Sequence, residues 1–286
     1  MIGKDGQVGR YLQKSLNSVE NQILFLGKKD MDISKRRDVT SLVISFSPQV
    51  IINASAYTNV EKAESDIEAA FKVNDVGVGN LVYACEQVNA SLIHISTDYV
   101  FDGEVTVPYT TTDTPNPKNA YGASKLAGEN RIVQSTISYY ILRVSWVFSE
   151  YNSNFVKTML KKARDGASLS VVADQVGNPT FAGDVADAIG LMLNQLVTTG
   201  SKEIYHFCGA PQCSWYEFAK TIFDVAAQEK FLTNKPEMKM VKTTEYKSFV
   251  DRPLFTSLDS SKFEKDFNAE IPKWGDSLTE LIVRMK

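Results

Sequence analysis

Four short apolar runs, each followed by a segment of helical period, constrain this chain more than any other feature. Residues 23–26, 50–53, 92–96 and 139–144 are continuous and rich in β-branched or aliphatic side chains. That is the pattern of strands covered on both faces. Between them, residues 8–18, 38–45, 69–88 and 121–135 carry apolar residues at helical spacing. Strand, helix, strand at this rhythm predicts a doubly wound α/β domain around a parallel sheet. After Trp146 the alternation weakens. Helix patterns fall at 154–165, 184–196 and 215–228, and strand patterns at 169–172 and 204–207. A loop carries Gly177-Asn178-Pro179-Thr180, residues 234–257 are polar and Pro-bearing, and a last helix begins around residue 277.

Composition excludes several classes. The 286 residues include 31 Lys+Arg and 34 Asp+Glu, a net charge of −3, which lacks the basic footprint of a nucleic-acid binder. No run approaches the roughly 18 consecutive apolar residues of a membrane span. The first ten residues, MIGKDGQVGR, hold no apolar run of signal-peptide length. A cytoplasmic protein without nucleic-acid or membrane partners is expected. Cys85, Cys208 and Cys213 are odd in number and form no CxxC pair, so they read as reduced thiols. The only histidines are His94 and His206. A zinc site needs about four close ligands, so His206 and Cys208 read as packing residues, and no metal is expected.

Four local patterns carry chemistry. Gly3, Gly6 and Gly9 spell GxxGxxG at the opening of the first helix. Glycines there let the backbone turn tightly and approach a pyrophosphate at the positive helix N-terminus, although the spacing alone also fits an ordinary tight turn. Tyr121 and Lys125 lie at i and i+4, on one helix face. A cation beside the phenol favours phenolate, lowering a value near 10 toward a usable acid/base range; an isolated pair of this kind could equally be a surface Tyr and Lys. The run Ser96-Thr97-Asp98-Tyr99 ends a strand, where open α/β sheets place their ligands, and Asn53-Ala54-Ser55-Ala56 follows another strand directly.

GxxGQVG, NASA, STDYVFDG and YGASKLAGE, in this order, resemble the extended short-chain dehydrogenase/reductase superfamily and, within it, the dTDP-4-dehydrorhamnose reductase family. Supporting matches run through Leu142-Arg143-Val144-Ser145-Trp146, Asn154-Phe155, Asp174-Gln175 and Arg252-Pro253, so the resemblance spans nearly the whole chain. It implies a Rossmann-type dinucleotide-binding domain over 1–146, and a smaller substrate-binding lobe over 147–286 with some segments returning to the first. It implies NADPH- or NADH-dependent reduction of the C4 ketone of a nucleotide-linked 4-keto-6-deoxyhexose, with dTDP-4-dehydro-L-rhamnose the favoured substrate. By the same resemblance Tyr121 is the proton donor, Lys125 binds the nicotinamide ribose and lowers the Tyr121 pKa, and Thr97 hydrogen-bonds the ketone. Gly3, Gly6, Gln7, Val8 and Gly9 would cradle the pyrophosphate, with Asp32, Ile33, Ala54, Ser55 and Ala56 near the adenosine half. Thr97, Asp98, Tyr99, Trp146, Asn178, Thr180 and Arg252 would line the sugar nucleotide.

The chain also departs from its relatives. The 4,6-dehydratases need an acidic residue directly after the Asp, where this chain has Tyr99. Where NAD enzymes carry an acidic residue at the end of the second strand, this chain has Gly27 followed by Lys28 and Lys29; these either accept a 2′-phosphate, favouring NADPH, or form a solvated turn. The position of a metal-bridging Glu found in some dimeric relatives is Tyr11, leaving a homodimer open. Only Met1 and Ile2 precede Gly3, so the first strand is expected to be truncated, with neighbouring backbone groups unpaired at about 1–3 kcal/mol each and a weakened cofactor site. The alternative function is a non-catalytic, NADP-binding regulatory subunit resembling the partner of methionine adenosyltransferase.

Overall fold

The computed structural model describes residues 1–16 and 22–286. Four parallel strands, Val50–Asn53, Ser91–Thr97, Tyr139–Val144 and Lys202–His206, stand side by side in that order. All six residues of Tyr139–Val144 are buried, as expected for a sheet covered on both faces. Beyond Val50–Asn53 the sheet continues through single bridging residues: Ile2 bridges Asn53 on one side and Leu26 on the other. The run at 23–26 therefore contributes one bridge, Leu26 to Ile2, rather than a strand. Within that short segment the hydrogen bonds are made. Ile2 N donates to Ile52 O at 2.8 Å, Ala54 N to Ile2 O at 2.9 Å, Leu26 N to Met1 O at 2.9 Å and Gly3 N to Leu26 O at 2.8 Å.

Helices Arg36–Phe46, Gly77–Val88 and Ala120–Val133 cover one face through Val39, Val43, Leu81 and Ile132. Helices Gln7–Leu16, Ala182–Thr199 and Ser261–Phe267 cover the other through Leu12, Val185, Ile189 and Phe263. The first helix was expected over 8–18; residues 17–18 lie outside the described residues. A separate core of Phe148, Val156, Leu160, Phe218, Phe223 and Leu278 joins helices Phe155–Arg164, Trp215–Gln228 and Trp274–Arg284.

Three features differ from the sequence pattern. The polar stretch at 234–257 contains the strand Met238–Val241, paired in parallel with Leu169–Val172. Its two central residues are exposed, so it carries no buried-strand signature. Helix Ser261–Phe267 has only seven residues, too few for a period to show. The segment at 69–88 is not one helix: Ile67–Phe71 passes through a π-helical turn, Lys72–Val76, before Gly77–Val88. Such bulges are frequent at functional sites, and this one contains the buried Asn74.

Candidate active site

The carboxyl ends of the central strands and the N-terminus of the Gln7–Leu16 helix converge where the chain reverses its direction across the sheet, with Ile2 at the switch. Open α/β sheets bind their ligands at such a point. Gly3 adopts φ +91°, and a Cβ there would lie 2.6 Å from the Ala54 carbonyl carbon. A Cβ on Gly9 would overlap Gly3 O. Only glycine permits this turn to lie against Ala54 while leaving the first helical amides pointing outward. The cradle fits a dinucleotide pyrophosphate, and Gln7, Val8, Ala54, Ser55 and Ala56 stand around it. Gln7 is fixed by the segment after Phe148: Ser149 Oγ and Asn154 Nδ2 each donate to its Oε1 at 2.8 Å. Asp32 accepts from Ser34 N at 3.0 Å and Ser34 Oγ at 2.8 Å, and the Ser34 hydroxyl bond first of all holds its carboxyl below the usual range. Ile33 is buried against Gly77, with its carbonyl accepting from Asn80 Nδ2 at 2.9 Å.

The Ala120–Val133 helix begins at Asn119, whose side chain caps Gly122 N at 2.9 Å. It enters so close to the Tyr99 loop that a Cβ on Gly122 would overlap Tyr99 O. Tyr121 and Lys125, one turn apart, are consequently buried. Lys125 Nζ donates to Ile95 O at 2.7 Å and lies 3.2 Å from His94 Nε2. Burial pushes its ammonium down to about 8, with Glu129 opposing. The Tyr121 phenol is pushed upward by burial, with its hydrogen bond with Thr97 acting against that shift and Asp98 reinforcing it. A cation beside the phenol was expected to lower it; in the structure desolvation dominates.

Thr97, Asp98, Tyr99 and Arg252 gather around Tyr121. Thr97 Oγ1 donates to Asp98 Oδ1 at 3.0 Å and accepts from Tyr99 N at 3.2 Å. Asp98 also accepts from Ser145 Oγ at 3.1 Å, and burial raises its carboxyl to about 6. Tyr99 stands edge-on to Tyr121 with ring centroids 5.8 Å apart, and Arg252 Nη1 donates to Tyr99 Oη at 3.1 Å. Trp146 projects from the end of the neighbouring strand with φ +45° and stacks on Trp215 at 3.4 Å. Asn178 and Thr180 lie behind it with their polar atoms engaged by the protein itself. Asn178 Nδ2 donates to Gly209 O at 2.9 Å, and Thr180 Oγ1 donates to Asn178 O at 3.1 Å.

Three contributors carried no sequence signal. Asn74 Nδ2 donates to Ser124 Oγ at 2.9 Å and Asn74 Oδ1 accepts from Tyr57 N at 2.8 Å, tying the loop after Ala56 to the Tyr121 helix. His94 read in sequence only as a polar residue within an apolar run, Trp215 as one helix residue among others, and Asn53 only as the first residue of the Asn53-Ala54-Ser55-Ala56 motif. Their roles follow from pairing between distant segments. Tyr11 donates to Glu150 at 2.7 and 2.9 Å, linking the first helix to the loop before Phe155–Arg164. Cys85, Cys208 and Cys213 are buried free thiols, and Cys208 and His206 pack within the fold. No helix among the described residues is long and apolar enough to cross a membrane.

The family model described as the RmlD substrate binding domain matches residues 1–286. A dTDP-4-dehydrorhamnose reductase from Aggregatibacter actinomycetemcomitans is 40% identical over 286 residues, 98% of this chain and 97% of that protein. One from Sinorhizobium fredii is 37% identical, over 99% of this chain and 95% of that protein. Among solved structures, dTDP-4-dehydrorhamnose reductase from Bacillus anthracis in complex with NADP superposes with a TM-score of 0.90 at 35% identity. It covers 99% of this chain and 97% of its own.

Proposed function

Because the chain belongs to the dTDP-4-dehydrorhamnose reductase family, we propose that it reduces the C4 ketone of dTDP-4-dehydro-L-rhamnose to dTDP-L-rhamnose with NADPH, in the cytoplasm, for cell-surface polysaccharide synthesis. The observation that carries the reading is the buried set of Thr97, Tyr121 and Lys125 beside the glycine cradle. A regulatory subunit without catalysis has no need of this set, and the full-length relatives bear the reductase name.

When bound, the nicotinamide supplies the hydride. The protein's part is to hold the cofactor, orient the ketone and deliver a proton. Gly3, Gly6, Gln7, Val8 and Gly9 hold the pyrophosphate at the helix N-terminus, and Lys125 is placed for the nicotinamide ribose. Asp32, Ile33 and Ala54–Ala56 border the adenosine half. Tyr121, kept as a phenol by burial, carries the proton that the developing alkoxide takes at its oxygen. Thr97 holds the phenol in place through its own anchorage on Asp98 and Tyr99 N. Tyr99, Trp146 and Arg252 face the hexose and nucleotide, with Asn178 and Thr180 shaping the wall behind. Lys28 and Lys29, exposed on the turn after Gly27, are the candidates for a 2′-phosphate; replacing both is expected to shift preference from NADPH toward NADH, and an unchanged ratio discards that role. Sedimentation tells a homodimer from a single chain.

The test is NADPH oxidation on addition of dTDP-4-dehydro-L-rhamnose, with Tyr121→Phe as control. Turnover by the wild type, lost by at least about a hundredfold in the variant, is expected for removal of a general acid. No turnover by the wild type overturns the reading for that substrate.

A further inference from the structure

Gln7 lies in the glycine cradle, yet each polar atom of its side chain is bonded within the protein. The direction of those bonds follows from the helix cap at Asn154. The Lys157 backbone N–H can only donate, and it bonds Asn154 Oδ1 at 3.2 Å. The Asn154 NH2 is therefore the donor, to Ser149 O at 2.7 Å and to Gln7 at 2.8 Å. The Gln7 atom it meets must be the carbonyl oxygen Oε1. The Ser149 hydroxyl accepts from Tyr151 N at 3.1 Å and donates to the same Oε1 at 2.8 Å. Gln7 Nε2 is thereby turned to Val147 O, 3.3 Å away. The same segment grips the glycine turn at a second place. Asn152, at φ +54°, donates from Nδ2 to Asp5 O at 2.9 Å. Gly6 N, on the same peptide unit, donates to Gly3 O at 3.0 Å. That peptide plane is held at both ends, and it leads directly into the Gln7–Leu16 helix.

We propose that Ser149, Asn152 and Asn154 are positioning residues for the cofactor. Acting through the Gln7 side chain and the Asp5–Gly6 peptide, they hold the glycine turn in the shape that presents the first helical amides to the NADPH pyrophosphate. The proposal rests on the reductase reading of the site. A turn built on Gly3, Gly6 and Gly9 has few side chains to brace it, and glycine loses more conformational freedom on ordering than any other residue. The first amides of a helix have no partner within it, so only the path of the turn decides where they point. A brace from outside imposes that path before the ligand arrives, and a preorganised site binds more tightly for the same contacts. The brace is itself anchored. Asn154 caps the Phe155–Arg164 helix, whose Val156 and Leu160 are buried in one core with Phe148. Ser149 is fully buried beside them in sequence.

Two measurements test this on the full chain. The first is a titration with NADPH. Ser149→Ala removes one donor without adding bulk, and is expected to raise the NADPH Kd about fivefold, the worth of one hydrogen bond. The KM for dTDP-4-dehydro-L-rhamnose at saturating NADPH is expected to stay within about twofold of wild type. Asn152→Gly keeps the left-handed backbone available but loses the amide, and is expected to weaken NADPH by about threefold. If Ser149 acts through Gln7, adding Ser149→Ala to Gln7→Ala changes the Kd by less than about 1.5-fold. An unchanged Kd in Ser149→Ala, an equal rise in the sugar-nucleotide KM, or a full Ser149 effect in the Gln7→Ala background overturns the proposal. The second measurement needs no cofactor. The Gly6 and Arg10 amides, bonded to Gly3 O and Gly6 O in the turn, are expected to exchange with solvent several times faster in Ser149→Ala than in wild type. Equal exchange in the two proteins overturns the brace. Neither the titration nor the exchange requires turnover. A wild type that binds NADPH without reducing the sugar nucleotide overturns the reductase reading for that substrate alone, and one that turns over while Ser149→Ala binds NADPH normally overturns this proposal alone.

Discussion

Single atoms decide much at the cofactor edge. A methyl on Gly9 has no room because Gly3 O occupies its place, so Gly9→Ala must open the turn. The expected outcome is about 1–3 kcal/mol of lost stability and at least about a tenfold weaker NADPH complex, read by urea unfolding and by a binding titration. A methyl tolerated in both measurements shows that the turn is loose. The ion pair of Arg143 and Glu129 has both side chains at most 3% exposed. Glu129→Gln leaves the guanidinium buried without its counter-charge, and a loss of about 3–5 kcal/mol is expected. A smaller loss in urea denaturation would mean that His206, 3.4 Å from Arg143 Nη1, or entering water takes over.

One helix carries both Tyr121, the proposed proton donor, and Lys125, so its start sets their placement. Asn119 caps Gly122 N and donates its own amide to Asp251 O at 3.1 Å. Asn119→Ala is expected to cost about 1 kcal/mol and to lower kcat more than the substrate KM changes, since Tyr121 is two residues from the cap. A change confined to stability would limit the cap to holding the helix. This helix was legible in the sequence because everything that marks it is local: Tyr121 and Lys125 share a face by spacing alone, and the glycines of the first turn follow the same logic. The rest was not legible because it depends on which distant segments meet. Met238–Val241 is a strand only because Leu169–Val172 lies beside it. The run at 23–26 fell short of a strand: among the described residues it joins the ladder at one bridge, Leu26 to Ile2. Asn74 turns inward through a π-helical bulge that no period announces.

Across the whole molecule, buried titratable groups bind pH to stability. Burial holds His206 down to about 3 and His94 well below its usual value. The unfolded chain therefore takes up protons on both rings below about 6.5 while the folded chain does not, and stability falls as pH drops. Asp98 and Asp184, raised by burial to about 6, act in the opposite sense. Their folded forms bind protons first, which restores some stability as pH falls from about 6 toward 4. The imidazole shifts are wider and begin higher, so a lower Tm at about pH 5 than at about pH 7 is expected, with a shallower decline in His206→Gln. Equal declines in the two proteins would mean that His206 is already charged in the native state. The indoles of Trp146 and Trp215 lie parallel, 3.4 Å apart and tilted by only 8°. They are two of the three tryptophans in the chain. Rings so close share their electronic excitation, which gives the protein a built-in optical reporter: a couplet in its near-ultraviolet circular dichroism. A sugar nucleotide settling against Trp146 would alter that couplet without any label, so occupancy could be followed in a form of the enzyme that cannot turn over.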